Sequence, residues 1–177
     1  MSRGEVAPVA VARALRKSWR CSRLPLGPET NLRTVQIQAA DQRDLAAVRE
    51  LLRRHGLPLD GIDDHVQTMV VAREGSSVVG AAALELYGDG ALLRSVVVDA
   101  ASQGHGLGQA LIEATFGLAR TRGVESLFLL TTTAERYFPR FGFEPIARSD
   151  VPESVQASVE FQSACPASAV VMRKRLL

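Results

Sequence analysis

The sequence predicts an α/β fold built on one mixed sheet, and three observations carry that prediction. Period-two alternation opens the regular part of the chain at Val35-Gln36-Ile37-Gln38-Ala39. Three strand-like runs then follow one another across short glycine-containing turns, as antiparallel neighbours do. The last of them empties into Gln103-Gly104-His105-Gly106-Leu107-Gly108, and a helix and a further apolar run complete a strand, helix, strand crossover.

Taken in order, Val35 to Ala39 is the first strand. Asp41 is an N-cap for a helix whose apolar face carries Leu45, Val48, Leu51 and Leu52, with Gly56 placed to end it. Leu57 to His65 connects. Thr68 to Arg73 and Ser77 to Tyr87 are strands about a Gly75-Ser76 turn, and Gly88-Asp89-Gly90 turns the second into Ala91 to Val98. An amphipathic helix covers Gln109 to Thr121, closed by Arg122-Gly123. Glu125 to Leu130 is the strand that should run parallel to the one holding Val96. Thr131 to Phe141 reads as a short helix ended by Gly142, Phe143 to Ala147 as a strand, Pro152 to Ser158 as a helical turn and Ala167 to Arg173 as the last strand.

With 177 residues, 46% of them hydrophobic and 23% charged, the chain has enough apolar material for one core without disulfide or metal support. No apolar run approaches the roughly 20 residues of a membrane span, so no membrane partner is expected. Cys21 and Cys165 lie far apart, suggesting neither a disulfide framework nor a metal cage, and a reducing cytoplasm fits this usage. Charge is uneven. Seven basic residues against Glu5 and Glu29 give residues 1–34 a balance of +5, and the whole chain is +2, so residues 35–177 total −3. That mildly acidic remainder removes the electrostatic support for nucleic-acid binding. Residues 1–33 are therefore set apart as a basic extension, better explained as an unstructured tail or an over-long start than as a targeting presequence, and 34–177 as the folded domain.

The glycine segment carries chemistry. Three glycines in five residues let backbone approach an anion, and the helix that follows offers orphan N–H groups and a favourable dipole. Even spacing at 104, 106 and 108 does not give Gly-x-Gly-x-x-Gly, and Gln109-Ala110 lacks the lysine and hydroxyl of a Walker loop.

The spacing resembles the acetyl-CoA pyrophosphate loop of the GNAT superfamily of N-acetyltransferases, Gln/Arg-x-x-Gly-x-Gly/Ala, through Gln103, Gly106 and Gly108. A second resemblance lies downstream, where Ala134-Glu135-Arg136-Tyr137-Phe138-Pro139-Arg140-Phe141-Gly142-Phe143 is similar to the family's Ala-x-x-Phe-Tyr-x-x-x-Gly-Phe. The order of elements over residues 34–177 also matches. Leu92-Leu93-Arg94-Ser95, Leu130 to Glu135 and Cys165 to Ala169 further resemble arsenic-resistance-type N-acetyltransferases, a label of genomic association that says little about the acceptor.

The resemblance implies a GNAT-like acyl-CoA N-acyltransferase fold in which the fourth and fifth strands diverge around pantetheine. Val96, Val97 and Val98 would then line the thioester, with Val96 and Val98 pairing the pantetheine amides and an N–H near Val96 polarising the carbonyl. The amides of Gln103, Gly104, His105, Gly106, Leu107 and Gly108 would take the pyrophosphate, although solvent is the simpler neighbour for the His105 side chain. Thr131 stands where the family often has a cofactor-bonding Asn, an N-cap role competing with it. The family's acid tyrosine aligns with Phe138, which would face the cofactor but cannot donate a proton. Tyr137, about 100° round the expected helix, is the candidate acid, with water or the substrate ammonium as alternatives.

For the base, Glu85 interrupts the apolar run Val78 to Leu84, where part-burial would raise its basicity; an outward-facing position is the alternative. Arg94 alternates with Val96 and Val98 and so should face the same cleft and clamp a substrate carboxylate, an internal salt bridge with Glu85 being the competing reading. Cys165 could line the acceptor site, or simply be a small buried hydrophobe. The implied activity is acetyl transfer from acetyl-CoA to a small amine, an amino acid or analogue if Arg94 binds carboxylate, with no metal. Acetylation of a protein N-terminus or lysine is the alternative enzyme reading, for which Asp60, Asp63 and Asp64 supply acidity, and a silent acyl-CoA-binding module is the non-catalytic one. Homodimerisation is common in the superfamily and is carried as an expectation.

Overall fold

In the computed structural model, which describes residues 34–176, seven strands form one sheet. They are β1 (Val35–Ala39), β2 (Met69–Glu74), β3 (Ser77–Tyr87), β4 (Gly90–Val98), β5 (Ser126–Thr131), β6 (Glu144–Pro145) and β7 (Val170–Arg175). The spatial order is β1-β2-β3-β4-β5-β7-β6, antiparallel throughout except for the parallel β4–β5 pair. The expected α/β class with a mixed sheet is what the chain adopts. The basic extension expected over residues 1–33 lies outside the described residues.

Helices cover the two faces. Helix α1 (Leu45–Arg54) follows a capping box in which Asp41 accepts the Arg43 N–H at 2.8 Å and Asp44 accepts the Asp41 N–H at 2.9 Å. Its Val48, Leu51 and Leu52 pack on Met69, Val71, Ala81, Ala83 and Val97. Helix α2 (Leu107–Thr121) covers the other face, packing against Leu84, Leu93, Leu127 and Leu129 at one end and Val70, Ala72 and Ala82 at the other. A short α3 (Glu153–Gln156) and the wide turn Glu160–Ala164 return to the α1 side, where Val155 and Phe161 bury Leu92 and Phe128.

The sheet departs from regular geometry at two places along β4. Parallel pairing of β4 with β5 is confined to Ala91–Leu127 and Leu92–Phe128, after which the strands part. Across β3, Ala81 pairs with Val97 but Ala83 pairs with Arg94, so Ala82 faces both Ser95 and Val96 in a β-bulge. Ser95 takes φ 55°, the left-handed conformation such a bulge demands.

That bulge corrects an expectation. Strict alternation would place Arg94 with Val96 and Val98; the extra residue reverses the phase. Leu93, Val96 and Val98 therefore pack on the α2 side, whereas Arg94 lies with Val97 on the α1 side, from where it still borders the cleft between β4 and β5. The expected helix over Thr131 to Phe141 is also absent. Thr131 Oγ1 accepts the Ala134 N–H at 2.9 Å and a tight helical turn, Phe138–Phe141, forms only at the end, because Pro139 has no N–H to continue an α-helix through this segment. Strand β6 shrinks to two residues for a related reason, Pro145 lacking a ladder donor. Helix α2 begins at Leu107, two residues before expected, since Gly106 itself adopts the left-handed N-cap.

Candidate active site

Where β4 and β5 separate, a cleft of about 670 Å³ opens. It runs from the glycine loop and the start of α2, past the free edge of β4, to a compartment bounded by Gly56 to Pro58 on one side and Glu160, Cys165 and Pro166 on the other. The Asp99 N–H donates to the Val79 carbonyl at 2.8 Å, so by alternation the amide of Val98, and that of Val96 two residues back, point away from β3 and into the opening. The same orientation lets Gln103 Nε2 donate to the Val98 carbonyl at 3.0 Å, which ties the loop to the strand end. Val97 turns its side chain into the α1 core and offers only backbone to the cleft.

Gly104 and Gly106 hold φ of 81° and 79° and fold the loop back onto the helix start. The first intrahelical bond there is Ala110 N–H to the Gly106 carbonyl at 3.0 Å, which leaves the Leu107, Gly108 and Gln109 amides without helical partners at the cleft end. Such amides, with the dipole of a 15-residue helix behind them, make this end of the cleft favourable to negative charge. His105 is exposed on the outside of the loop, and the Thr131 hydroxyl is engaged with its own turn.

Tyr137 and Phe138 divide differently from their motif alignment. Phe138 is 7% exposed, packed edge-on to Phe143 in the core at the cleft floor. Tyr137 lines the cleft and carries its hydroxyl over Gly108, while the Arg140 guanidinium stacks 4.2 Å from its ring centroid. Arg140 is not marked out by the sequence. Its only signal there is a cation inside the second motif.

At the far end of the cleft lies a buried charge cluster. Arg94, 3% exposed, forms ion pairs with Glu85 and, from Nη2 at 3.1 Å, with Glu160; Nη2 also donates to the Asp60 carbonyl at 2.7 Å and Nε to Ser95 Oγ at 3.3 Å. Glu85 additionally accepts from His65 Nε2 at 3.2 Å and from the Tyr87 hydroxyl at 2.7 Å. Burial alone would raise the Glu85 carboxyl, but the hydrogen bonds from His65, Tyr87 and Arg94, with the charge of Arg94, outweigh it and hold the group at about 2. A carboxylate so stabilised is a poor proton acceptor, which argues against Glu85 as the base. Arg94, with its donors committed, is likewise disfavoured as a substrate clamp, and the internal salt bridge is what forms.

Glu160 is the group that sequence reasoning missed. Burial raises its carboxyl against the lowering charge of Arg94, and it lines the cleft where Glu85 does not. Nothing in Val159-Glu160-Phe161 marks it locally; only the fold carries it to β4 from 66 positions beyond Arg94 in the chain. The Cys165 thiol donates to Glu160 Oε2 at 3.3 Å, and burial together with the charge of Glu160 pushes it up to about 12, so it stays protonated and lines the compartment as a weak donor. Among the described residues there is no cluster of three or more His, Cys, Asp or Glu side chains able to hold a metal ion, and no helix long and apolar enough to cross a membrane.

A mixed sheet parted between its fourth and fifth strands over a glycine-rich helix start defines the acyl-CoA N-acyltransferase class of fold. Residues 65–145 match the acetyltransferase (GNAT) domain. An amino-acid acetyltransferase of Mycobacterium tuberculosis (strain ATCC 25618 / H37Rv) is 38% identical over 79 residues, 44% of this chain and 45% of the relative. The chain thus spans less than half the length of that curated relative. Among solved structures, N-acetylglutamate synthase from Neisseria gonorrhoeae, complexed with coenzyme A and N-acetyl-glutamate, superposes with a TM-score of 0.71 at 22% identity, covering 81% of this chain and 35% of that one. Rv2747 from Mycobacterium tuberculosis, solved with CoA, gives 0.68 at 24% identity over 80% of this chain and 99% of that one. The ribosomal-protein-S18-alanine N-acetyltransferase of Escherichia coli gives 0.61 at 19% identity, covering 81% and 94%.

Proposed function

We propose that this chain is an acetyl-CoA-dependent N-acetyltransferase acting on a small amine. The observation that carries the reading is the end of β4–β5 pairing at Leu92 and Phe128, which leaves the outward amides of β4 lining the same cleft as the orphan amides of α2. An extended arm bearing amides fits the first and a diphosphate fits the second. Coenzyme A supplies both, and the neighbours solved with it share this fold.

Within that reading Val96 and Val98 pair the pantetheine arm, and the amides from Gln103 to Gly108 hold the diphosphate with Arg140 adding charge beside them. An amide near Val96 withdraws electron density from the thioester carbonyl as the amine attacks. Tyr137 is the proton donor for the departing thiolate, because its hydroxyl reaches the cleft and Phe138, which also lines it, has no proton to give. A donor in that place favours catalysis over a silent binding module.

The names of the similar proteins support an amino-acid acceptor; a carboxylate held by Arg94 does not, since Glu85 and Glu160 already engage it. Asp63 is paired with Arg49, which weakens the acidic groove that a protein-acetylating enzyme would use. The arsenic-resistance association rests on segment resemblance alone and names no acceptor. Calorimetry with coenzyme A and thiol release from acetyl-CoA across a panel of amino acids, amino-acid analogues and simple amines test the proposal. Binding with turnover of at least one small amine supports it; no heat on addition of coenzyme A, or acetylation confined to peptides, overturns it.

A further inference from the structure

Three ionisable groups meet at the far end of the cleft, two carboxylates about one guanidinium, and their surroundings are unequal. Glu85 lies behind Arg94 under the turn Ile62–Thr68, where His65 and Tyr87 complete its hydrogen bonds. Glu160 arrives from the opposite side on the wide turn Glu160–Ala164 and borders the cleft. One cation cannot fully neutralise both. When two coupled carboxyl groups are held so differently, the better-solvated charge goes to one and the proton to the other.

We propose that Glu160 is the catalytic proton acceptor for the incoming amine, with Arg94 and Glu85 as positioning residues, and that the acceptor enters this compartment as a primary ammonium that needs no carboxylate of its own. The inference rests on the acetyltransferase reading. Arg94 Nη2 holds Glu160 Oε1 at 3.1 Å and the Cys165 thiol holds Oε2 at 3.3 Å, which fixes the carboxylate at the wall of the compartment. The groups facing Glu160 are Arg94 from β4, Glu85 from β3, Asp60 from the connection before β2, and Cys165 from its own segment. Arg94 is the one cation acting on Glu160 among these, and Arg148, which reaches the Phe161 carbonyl at 3.4 Å, acts on Cys165; the carboxylates of Glu85, Asp60 and Glu160 outnumber them, and the compartment favours a positively charged visitor.

The proton inventory closes. The ammonium gives one proton to Glu160, and the freed lone pair forms the N–C bond at the thioester carbonyl. The C–S bond breaks with its electron pair going to sulfur, which takes the Tyr137 proton. The second proton lost by nitrogen returns to the Tyr137 phenolate, and Glu160 releases its own to water once product leaves.

The test uses the full chain with an amine found by the panel above. Glu160→Gln is expected to retain coenzyme A binding by calorimetry, to lower kcat/KM for the amine about 10²-fold and to lose the acid limb of the kcat/KM–pH profile. Glu160→Asp, which keeps a titrating group one methylene further back, is expected to keep the limb at reduced rate; it also decides the matter should the glutamine variant not fold. In the unmodified protein, the Glu160 carboxyl carbon, followed by NMR, is expected to titrate above the ordinary carboxylate range. An unmoved acid limb in Glu160→Gln, a Glu160→Asp enzyme as fast as the original, or a Glu160 carbon titrating at or below the ordinary range overturns the role of Glu160 while leaving the acetyltransferase reading intact. An unmodified chain that ignores coenzyme A, or binds it and acetylates no amine, overturns both.

Discussion

The Tyr137 hydroxyl stands over Gly108: a Cβ on that glycine would lie 2.8 Å from the oxygen but 3.8 Å from the ring carbon that bears it. Gly108 is therefore a space requirement, not a matter of φ. Gly108→Ala should cost about 1–3 kcal/mol by overpacking and weaken coenzyme A binding as the ring is pushed aside. In a Tyr137→Phe background, where the nearest atom sits at an ordinary contact distance, the same alanine should cost little. Thermal melts and calorimetry on the four members of this cycle check the coupling, and additive effects would contradict it.

Exchanging the two aromatic roles is a second test. Tyr137→Phe should lower kcat about 10²-fold with coenzyme A affinity nearly kept. Phe138→Tyr should instead destabilise the fold by about 1–3 kcal/mol, because it introduces a hydroxyl into an apolar core that holds Phe143 and Phe116. Adding Phe138→Tyr to the Tyr137→Phe variant should not restore turnover; restoration would return the acid role to position 138.

Stability should depend on acid in two opposed steps. Glu160, raised in the folded state, binds protons more readily there than when unfolded, so stability rises as pH falls from neutrality toward the ordinary glutamate value of 4.5. Glu85, held at about 2, does the reverse: its contribution is fully present above 4.5 and is lost as pH falls from there toward 2. Urea midpoints across pH 2 to 7 should therefore peak near the middle of that range. Glu85→Gln should destabilise the protein by about 3 kcal/mol at neutral pH and flatten the acid loss.

Loop geometry makes a fourth prediction. At φ 79°, Gly106 caps α2 in the left-handed region, where a Cβ costs about 1–2 kcal/mol. Open space surrounds it, so Gly106→Ala should leave the core intact, lower Tm slightly and raise the coenzyme A Kd roughly tenfold. A folded Gly106→Ala variant that leaves Kd unmoved would show that the loop does not hold the diphosphate.

The glycine loop was legible because each of its signals is local. Gly104 and Gly106 declare their left-handed conformations locally, and the apolar run before them and the amphipathic run after them fix strand and helix by periodicity alone. The antiparallel run β2-β3-β4 followed for the same reason, since short turns force neighbours together, and the parallel β4–β5 pair followed from the helix between them. Misjudged elements were those where a single side chain overrides the pattern. Thr131 turns the chain back on itself, and Pro139 and Pro145 withhold donors from a helix and a ladder that hydrophobicity would allow.

From sequence alone came the sheet class, the crossover and the glycine-rich start of α2, all consequences of patterns between residues close in the chain. The ends of the cleft were settled only in three dimensions. One extra residue at Ser95 sends Arg94 to the face opposite Val96 and Val98, and the turn before β7 brings Glu160 to meet it. A bulge depends on how two strands register, and the proton affinity of a carboxyl depends on what surrounds it from every side. Both are set by packing between distant segments, which no local pattern records.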